Sequence, residues 1–143
     1  MGALVCTLAA TLLSGCAQQS GGSQQSQRES LESSTPAPAD NRVRAKARTD
    51  LAGGYYELGN YGIALEEIRS ALAADPSYAP AHTVNALIHM ELRDMAQAQT
   101  SFQRAMQLDP QDPDTQHNYG WFLCQNGRLD EALERFQIAI RNP

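Results

Sequence analysis

The chain has 143 residues, which is enough for one domain with extensions, and its formal charge is −5. It has 11 Lys and Arg against 16 Asp and Glu, and without a basic stripe it is not expected to bind nucleic acid. Aromatic residues make up 6% of the chain and alanine is frequent, which favours tightly packed helices over sheet.

The first 16 residues carry no charged side chain, and residues 3–13 are largely apolar. This stretch is too short to span a bilayer as a stable helix. It has the character of the hydrophobic region of a secretory signal, so we predict a signal peptide over residues 1–15. Such signals normally carry Lys or Arg before the apolar region, and none is present here. We therefore expect the start of translation to lie upstream.

The apolar stretch ends in Leu13-Ser14-Gly15-Cys16, which resembles the lipobox of bacterial lipoproteins. The resemblance implies cleavage before Cys16 and a diacylglyceryl group on its thiol; the alternative is an ordinary signal peptide with a chance cysteine. Two acyl chains hold a protein firmly to a membrane. Because Ala17 rather than aspartate follows the cysteine, the resemblance implies a lipid-anchored protein of the outer membrane that faces the periplasm.

Residues 16–42 are rich in Gln, Ser, Gly and Pro and almost empty of large apolar side chains. Such a segment cannot repay the entropy of folding, so we predict a flexible, lipidated linker. A flexible chain of roughly 25 residues has a root-mean-square reach of about 25–30 Å. The alternative is a short helix over residues 28–33 within it.

From Val43 onward, small and apolar residues recur every 34 residues. Two series show the spacing: Ala64, Ala98 and Ala132, and Ala71, Ala105 and Ala139. Asp75-Pro76 and Asp109-Pro110 keep the same step. A period of about 34 residues is typical of stacked helical hairpins, which bury their apolar faces only against neighbours.

Each unit resembles a tetratricopeptide repeat (TPR), with repeats at about residues 45–78, 79–112 and 113–143. The resemblance implies an all-α TPR superhelix of three helical hairpins over residues 43–143. The small residues that allow the helices to touch are Ala64, Ala98, Gly120 and Ala132.

The residues predicted to form the turns between helices agree with this repeat structure. Gly59 and Gly127 follow the first helix of their units, where a left-handed residue ends a helix at little cost. Arg93 replaces that glycine in the middle unit, so its turn is predicted to differ slightly. Asp112-Pro113 offers an N-cap followed by proline at the first helical position.

The third unit ends one residue short of the others, without the polar capping helix that solenoids usually need. We expect the chain to be a fragment of a longer protein; the alternative is that a partner covers this end.

In TPR proteins the first helix of each hairpin lines a concave face. On this chain the mapping places an apolar strip there for a hydrophobic or amphipathic segment of a partner, formed by Tyr56, Leu87, Met90 and Trp121. Leu87 can equally pack against the neighbouring repeat. Trp121 is the foremost candidate for a binding hot spot, since large aromatics dominate interface energies. The Lys/Asn/Arg set with which some TPR proteins clamp a C-terminal carboxylate is missing.

The sequence contains no glycine-rich phosphate loop and no nucleophile elbow. His82 and His89 have no Cys, Asp or Glu at a metal-ligand offset beside them. We therefore expect no enzyme, metal, cofactor or small-molecule substrate. Cys124 is left over once Cys6 leaves with the signal and Cys16 carries lipid; it is either a small buried hydrophobe or the partner of a cysteine in sequence absent here.

The segment HNYGWFLCQNGR, residues 117–128, is more particular than a generic repeat. Together with the lipobox and the segment AIRNP at residues 139–143, it resembles the PilF/PilW family of type IV pilus biogenesis lipoproteins. The resemblance implies a pilotin-like role, in which the protein binds an outer-membrane secretin subunit and assists its localisation and assembly, or stabilises the pilus. The alternative is a periplasmic TPR scaffold lipoprotein for another cell-envelope complex.

Overall fold

The computed structural model describes residues 37–141. The predicted signal peptide, Cys16 and the predicted linker as far as residue 36 lie outside the described residues. Six helices follow one another, and the described range contains no strand: α1 (Pro38–Glu57), α2 (Tyr61–Ala74), α3 (Ala79–Glu91), α4 (Met95–Leu108), α5 (Pro113–Gln125) and α6 (Leu129–Arg141). None of them combines the length and apolar composition needed to cross a membrane.

The helices pair as three antiparallel hairpins, α1 with α2, α3 with α4, and α5 with α6. Each second helix also packs on the first helix of the next hairpin, and successive first helices touch one another. This arrangement confirms the predicted all-α TPR superhelix of three hairpins.

Helix α1 begins at Pro38, five residues before the predicted start of the repeats at residue 43. Proline suits this position because the backbone N–H groups of the first helical turn have no partner within the helix, so the N–H that proline lacks is not needed. The Nε of Arg42 lies 2.6 Å from a carboxylate oxygen of Asp75, and the guanidinium covers the ring of Tyr78 at 5.2 Å. These contacts hold the first turns of α1 against the α2–α3 connection, so the predicted linker ends earlier than residue 42.

Asp75 anchors that connection. Its carboxylate accepts hydrogen bonds from the hydroxyl of Ser77 at 2.6 Å and from the Ser77 backbone N–H at 2.9 Å. The bonds from Ser77, with the nearby charge of Arg42, hold the pKa of the Asp75 carboxyl below its usual value. The Asp-Pro pairs that mark the period are therefore turn-forming elements.

Two clusters of buried side chains form the core. One joins the first two hairpins around Ala52, Ala64, Ile68, Ala71, Ala81 and Ile88. The other joins the second and third around Ala86, Met90, Ala98, Phe102, Tyr119, Phe122, Leu123 and Ala132. Each cluster spans two hairpins, which is how a repeat too small to bury its own apolar face becomes stable.

The predicted small residues lie where helices touch. Ala64 and Ala98 are 0% exposed and Ala132 is 3% exposed. A Cβ on Gly120 would lie 2.7 Å from a ring carbon of Phe136, closer than real side chains approach one another. At Gly120 any side chain would therefore require the ring of Phe136 on α6 to move.

The turns between first and second helices use the same conformation in all three hairpins. Gly59 and Gly127 have φ of 74° and 73°, and Arg93 in the middle hairpin has φ of 63°. The Arg93 N–H donates to the Met90 carbonyl at 3.0 Å, as the Gly59 N–H donates to Tyr56 at 2.9 Å. The prediction of a different turn at Arg93 was wrong, because tertiary packing of the hairpin imposes the left-handed conformation on a non-glycine residue.

Replacing Arg93 with glycine is therefore expected to stabilise the protein. A left-handed non-glycine residue costs about 1–2 kcal/mol, and the extra backbone entropy of glycine in the unfolded chain returns part of that. We expect a net gain of about 0.5–1 kcal/mol, measured by urea denaturation. Gly127→Ala is the matched reverse change, since its Cβ would meet no atom within 4 Å, and it should destabilise. A loss of stability in Arg93→Gly would show that the side chain contributes more than the strain costs.

Candidate functional site

The first helices of the three hairpins, α1, α3 and α5, lie side by side and form one continuous face. Between α3 and α5 this face contains a cleft of about 230 Å³. We call it the α3–α5 groove and define it by its lining residues: Pro80, Thr83, Val84, Leu87, Asp112, Asp114 and Asn118.

The base of the groove is held by hydrogen bonds. The hydroxyls of Thr83 on α3 and Thr115 on α5 lie 2.7 Å apart, and both residues are buried. The carboxylate of Asp112 caps α5 by accepting from the Thr115 N–H at 2.8 Å. The Thr83–Thr115 hydrogen bond therefore joins α3 to α5 at the base of the cleft, and Pro80, Val84 and Leu87 supply its apolar lining.

Two of the predicted strip residues lie on this face. Leu87 lines the groove and also packs against the second core cluster, so it contacts the neighbouring repeat while bordering the cleft. Trp121 is 54% exposed on α5. It lies three residues after Asn118 and seven after Asp114, which places it on their side of the helix. A large aromatic side chain left this exposed beside a cleft is available to a partner.

Tyr56 lies at the end of α1 and forms a separate cluster with Tyr61 and Glu91. The two rings are 5.8 Å apart, and the Tyr61 hydroxyl is 3.5 Å from a carboxylate oxygen of Glu91. Burial, and then the negative charge of Glu91, raise the pKa of the Tyr56 hydroxyl. Since Glu91 is one helical turn beyond Leu87, this cluster adjoins the groove.

Met90 does not belong to the groove. It is 7% exposed and lies in the second core cluster with Ala86 and Phe122. Met90 follows Ala86 by four residues, so both share the face of α3 that packs into the core. The prediction that Met90 lies accessible on the concave face was therefore wrong.

The structure also shows a contact that the sequence analysis missed. The Nε2 of His82 lies 2.9 Å from the Pro76 carbonyl, and the amide of Gln116 donates to the Pro110 carbonyl at 2.7 Å. Both pairs are related by the 34-residue period, so the same brace ties each first helix to the preceding Asp-Pro turn. His82 therefore has a structural role, and the repeat spacing of His82 with Gln116 was the signal that could have revealed it.

Cys124 is a half-buried free thiol that packs against the second core cluster. Within residues 37–141, no three His, Cys, Asp or Glu side chains are grouped in a way that could hold a metal ion. The described surface offers an apolar cleft, the exposed ring of Trp121 and exposed carboxylates.

Comparison with known proteins agrees with the fold. Two tetratricopeptide repeat family models match the chain, one over residues 49–113 and the other over residues 89–142. Residues 49–142 are therefore tetratricopeptide repeats, whose stacked hairpins typically serve as protein-interaction scaffolds.

Three individual proteins are similar to this chain over most of its helical region. The type IV pilus assembly protein PilF of Pseudomonas aeruginosa is 33% identical over 96 residues, which cover 67% of this chain and 38% of PilF. Its solved structure matches with a TM-score of 0.68 and 30% identity, over 70% of this chain and 45% of that one. The structure of PilW, described as a widely conserved type IV pilus biogenesis factor, matches with a TM-score of 0.65 and 33% identity, over 69% and 46%.

The third relative is an uncharacterised protein of Haemophilus influenzae, 26% identical over 111 residues that cover 78% of this chain and 62% of that protein. The chain thus spans less than two thirds of each of these relatives. The similarity to PilF and PilW extends across the helical region and connects the chain to TPR proteins of type IV pilus biogenesis.

Proposed function

We propose that this chain is a lipid-anchored TPR protein of the outer membrane, facing the periplasm, that binds an outer-membrane secretin subunit during type IV pilus biogenesis. In this role it assists the localisation or assembly of the secretin, or stabilises the pilus. The observation that carries the proposal is the similarity to both PilF and PilW at 30–33% identity, which exceeds a likeness of fold alone.

The described surface suits the binding role. The Thr83–Thr115 hydrogen bond joins the two helices at the base of the α3–α5 groove, and Trp121 lies exposed on the groove side of α5. A preformed cleft with an exposed aromatic neighbour loses little entropy on binding, and large aromatics supply much of the energy of protein interfaces.

The test is affinity purification of the acylated protein from envelope membranes of its native host, followed by detection of the secretin. We expect the secretin to copurify, and deletion of the gene to reduce detergent-resistant secretin multimers or surface pili. If another envelope complex copurifies and secretin multimers are unchanged in the deletion strain, the scaffold alternative replaces the pilus proposal.

Anchoring is tested separately through Cys16. Mass spectrometry of the mature protein should find acyl groups on this residue as the new N-terminus, because Leu13-Ser14-Gly15 supplies the small residues that a lipoprotein peptidase accepts. Cys16→Ser should release the protein from the membrane fraction without altering its helical circular dichroism. An unmodified Cys16 in membrane-bound protein would contradict the anchor.

A further inference from the structure

The charged side chains that line the α3–α5 groove are all negative. Val84 and Leu87 supply its apolar lining, while Asp112 and Asp114 border it from the start of α5. None of its lining residues is Lys or Arg. The carboxylate of Asp112 is engaged as the cap of α5, whereas Asp114 is exposed in the first turn.

The cluster at the other end of the groove carries the same sign. Glu91 is exposed, with its carboxylate 3.5 Å from the Tyr61 hydroxyl and its charge acting on Tyr56. Two tilted tyrosine rings beside a carboxylate have the composition of a site for an alkylammonium or guanidinium group. The ring faces attract a cation, and the carboxylate supplies the opposite charge.

Lys46 on α1 is paired within its own helix, since its Nζ lies 2.7 Å from a carboxylate oxygen of Asp50. Arg93, in the turn after α3, follows Glu91 by two residues. Glu57, at the end of α1, adds another exposed carboxylate near Tyr56 in sequence. The face that an apolar segment would cover therefore carries unbalanced negative charge.

A partner must compensate that charge. Covering a carboxylate with apolar surface is strongly unfavourable unless an opposite charge or hydrogen-bond donor accompanies it. An acidic segment would add like-charge repulsion, which disfavours it as an occupant.

We propose that the α3–α5 groove binds a partner segment in which an apolar side chain is flanked by Lys or Arg. The apolar side chain lies on Val84 and Leu87, one cation lies against Glu91 beside the pair of tyrosine rings, and a second pairs with Asp114. The inference rests on the proposed protein-binding function and specifies the chemistry of the segment that the groove selects.

The test uses two synthetic dodecapeptides with identical Leu and Ile positions, one with Lys and the other with Glu at the remaining positions. Their binding to the full chain carrying Cys16→Ser is measured by fluorescence anisotropy at low and high salt. We expect the Lys peptide to bind at least tenfold more tightly than the Glu peptide at low salt. The difference should shrink at high salt, because exposed ion pairs are screened.

The variant Glu91→Gln/Asp114→Asn should weaken binding of the Lys peptide by about three- to tenfold, as expected for exposed ion pairs and cation–ring contacts. The matched control is Glu66→Gln/Asp130→Asn. It removes one carboxylate from the exposed side of α2 and one from the first turn of α6, the position that Asp114 has in α5. The control should bind the Lys peptide like wild type, and melting temperatures establish that both variants fold.

Several results would overturn the proposal: no binding of the Lys peptide up to millimolar concentration, equal or tighter binding of the Glu peptide, or an equal effect of the two double variants. None of these depends on the secretin. If the secretin copurifies but the groove does not prefer the Lys peptide, this inference is refuted and the proposed function stands. If the groove prefers the Lys peptide but the secretin does not copurify, only the assignment to pilus biogenesis is refuted.

Discussion

Phe102→Ala is expected to destabilise the protein by about 3–5 kcal/mol, the usual cost of removing a buried aromatic ring. Phe102 is 0% exposed, and its ring lies 5.4 Å from that of Tyr119 and 5.6 Å from that of Phe122. These contacts join α4 to α5, so the cavity would open between two hairpins. Because small domains are stable by only about 5–15 kcal/mol, the loss is a large fraction of the total. Urea denaturation measures it.

A second phenylalanine provides the control for this variant. Phe136 occupies the position of Phe102 one repeat later, and it is only partly buried against Gly120 and His117. With less surface to expose and room for solvent to enter, Phe136→Ala should cost about 1–2 kcal/mol. Equal losses in the two variants would show that the interface between the second and third hairpins is not the main source of stability.

The fold could be predicted because the physical requirement repeats. Ala64, Ala98 and Ala132 must be small where helices touch, and the same requirement returns every 34 residues. One such position shows little by itself, whereas three in register define a hairpin stack. The N-cap at Asp112 was predictable for a local reason, since its carboxylate reaches the N–H three residues ahead.

The errors arose where distant contacts decide the outcome. Residues 37–42 have the composition of a linker, but Arg42 pairs with Asp75, 33 positions away, and the first turns of α1 form. Arg93 adopts a glycine conformation because the packed hairpin requires that turn. In both cases tertiary contacts override the conformational preference of the local sequence.

The groove was predictable only in part. Repeat position identified the first helices as the binding face, and Leu87 does line the cleft. Repeat position could not show that Met90 turns with Ala86 into the core, because a helix bordering both a groove and a core has apolar residues on each side. Nor could it show the cluster of Tyr56, Tyr61 and Glu91, whose members come from three helices.

Trp121→Ala is expected to weaken binding of the secretin subunit by roughly thirtyfold or more while leaving the fold intact. Truncation of a hot-spot aromatic costs at least about 2 kcal/mol, and about 1.4 kcal/mol corresponds to tenfold in affinity. Trp121 is 54% exposed, so most of its ring is available to a partner and little of the core depends on it. Binding is measured by titration of purified protein with the periplasmic part of the secretin.

Two further variants separate the groove from its alternatives. Leu133→Ala removes an apolar side chain that is 57% exposed on α6, and it should change neither stability nor binding appreciably. Met90→Ala removes a core side chain and should lower the melting temperature, with binding lost only as the protein unfolds.

If Trp121→Ala unfolds the domain, its ring belongs to the packing of the third hairpin. If it folds and binds the secretin as wild type does, the partner uses another face. A folded, acylated Trp121→Ala protein that fails to support secretin multimers in cells would place the functional contact at this ring.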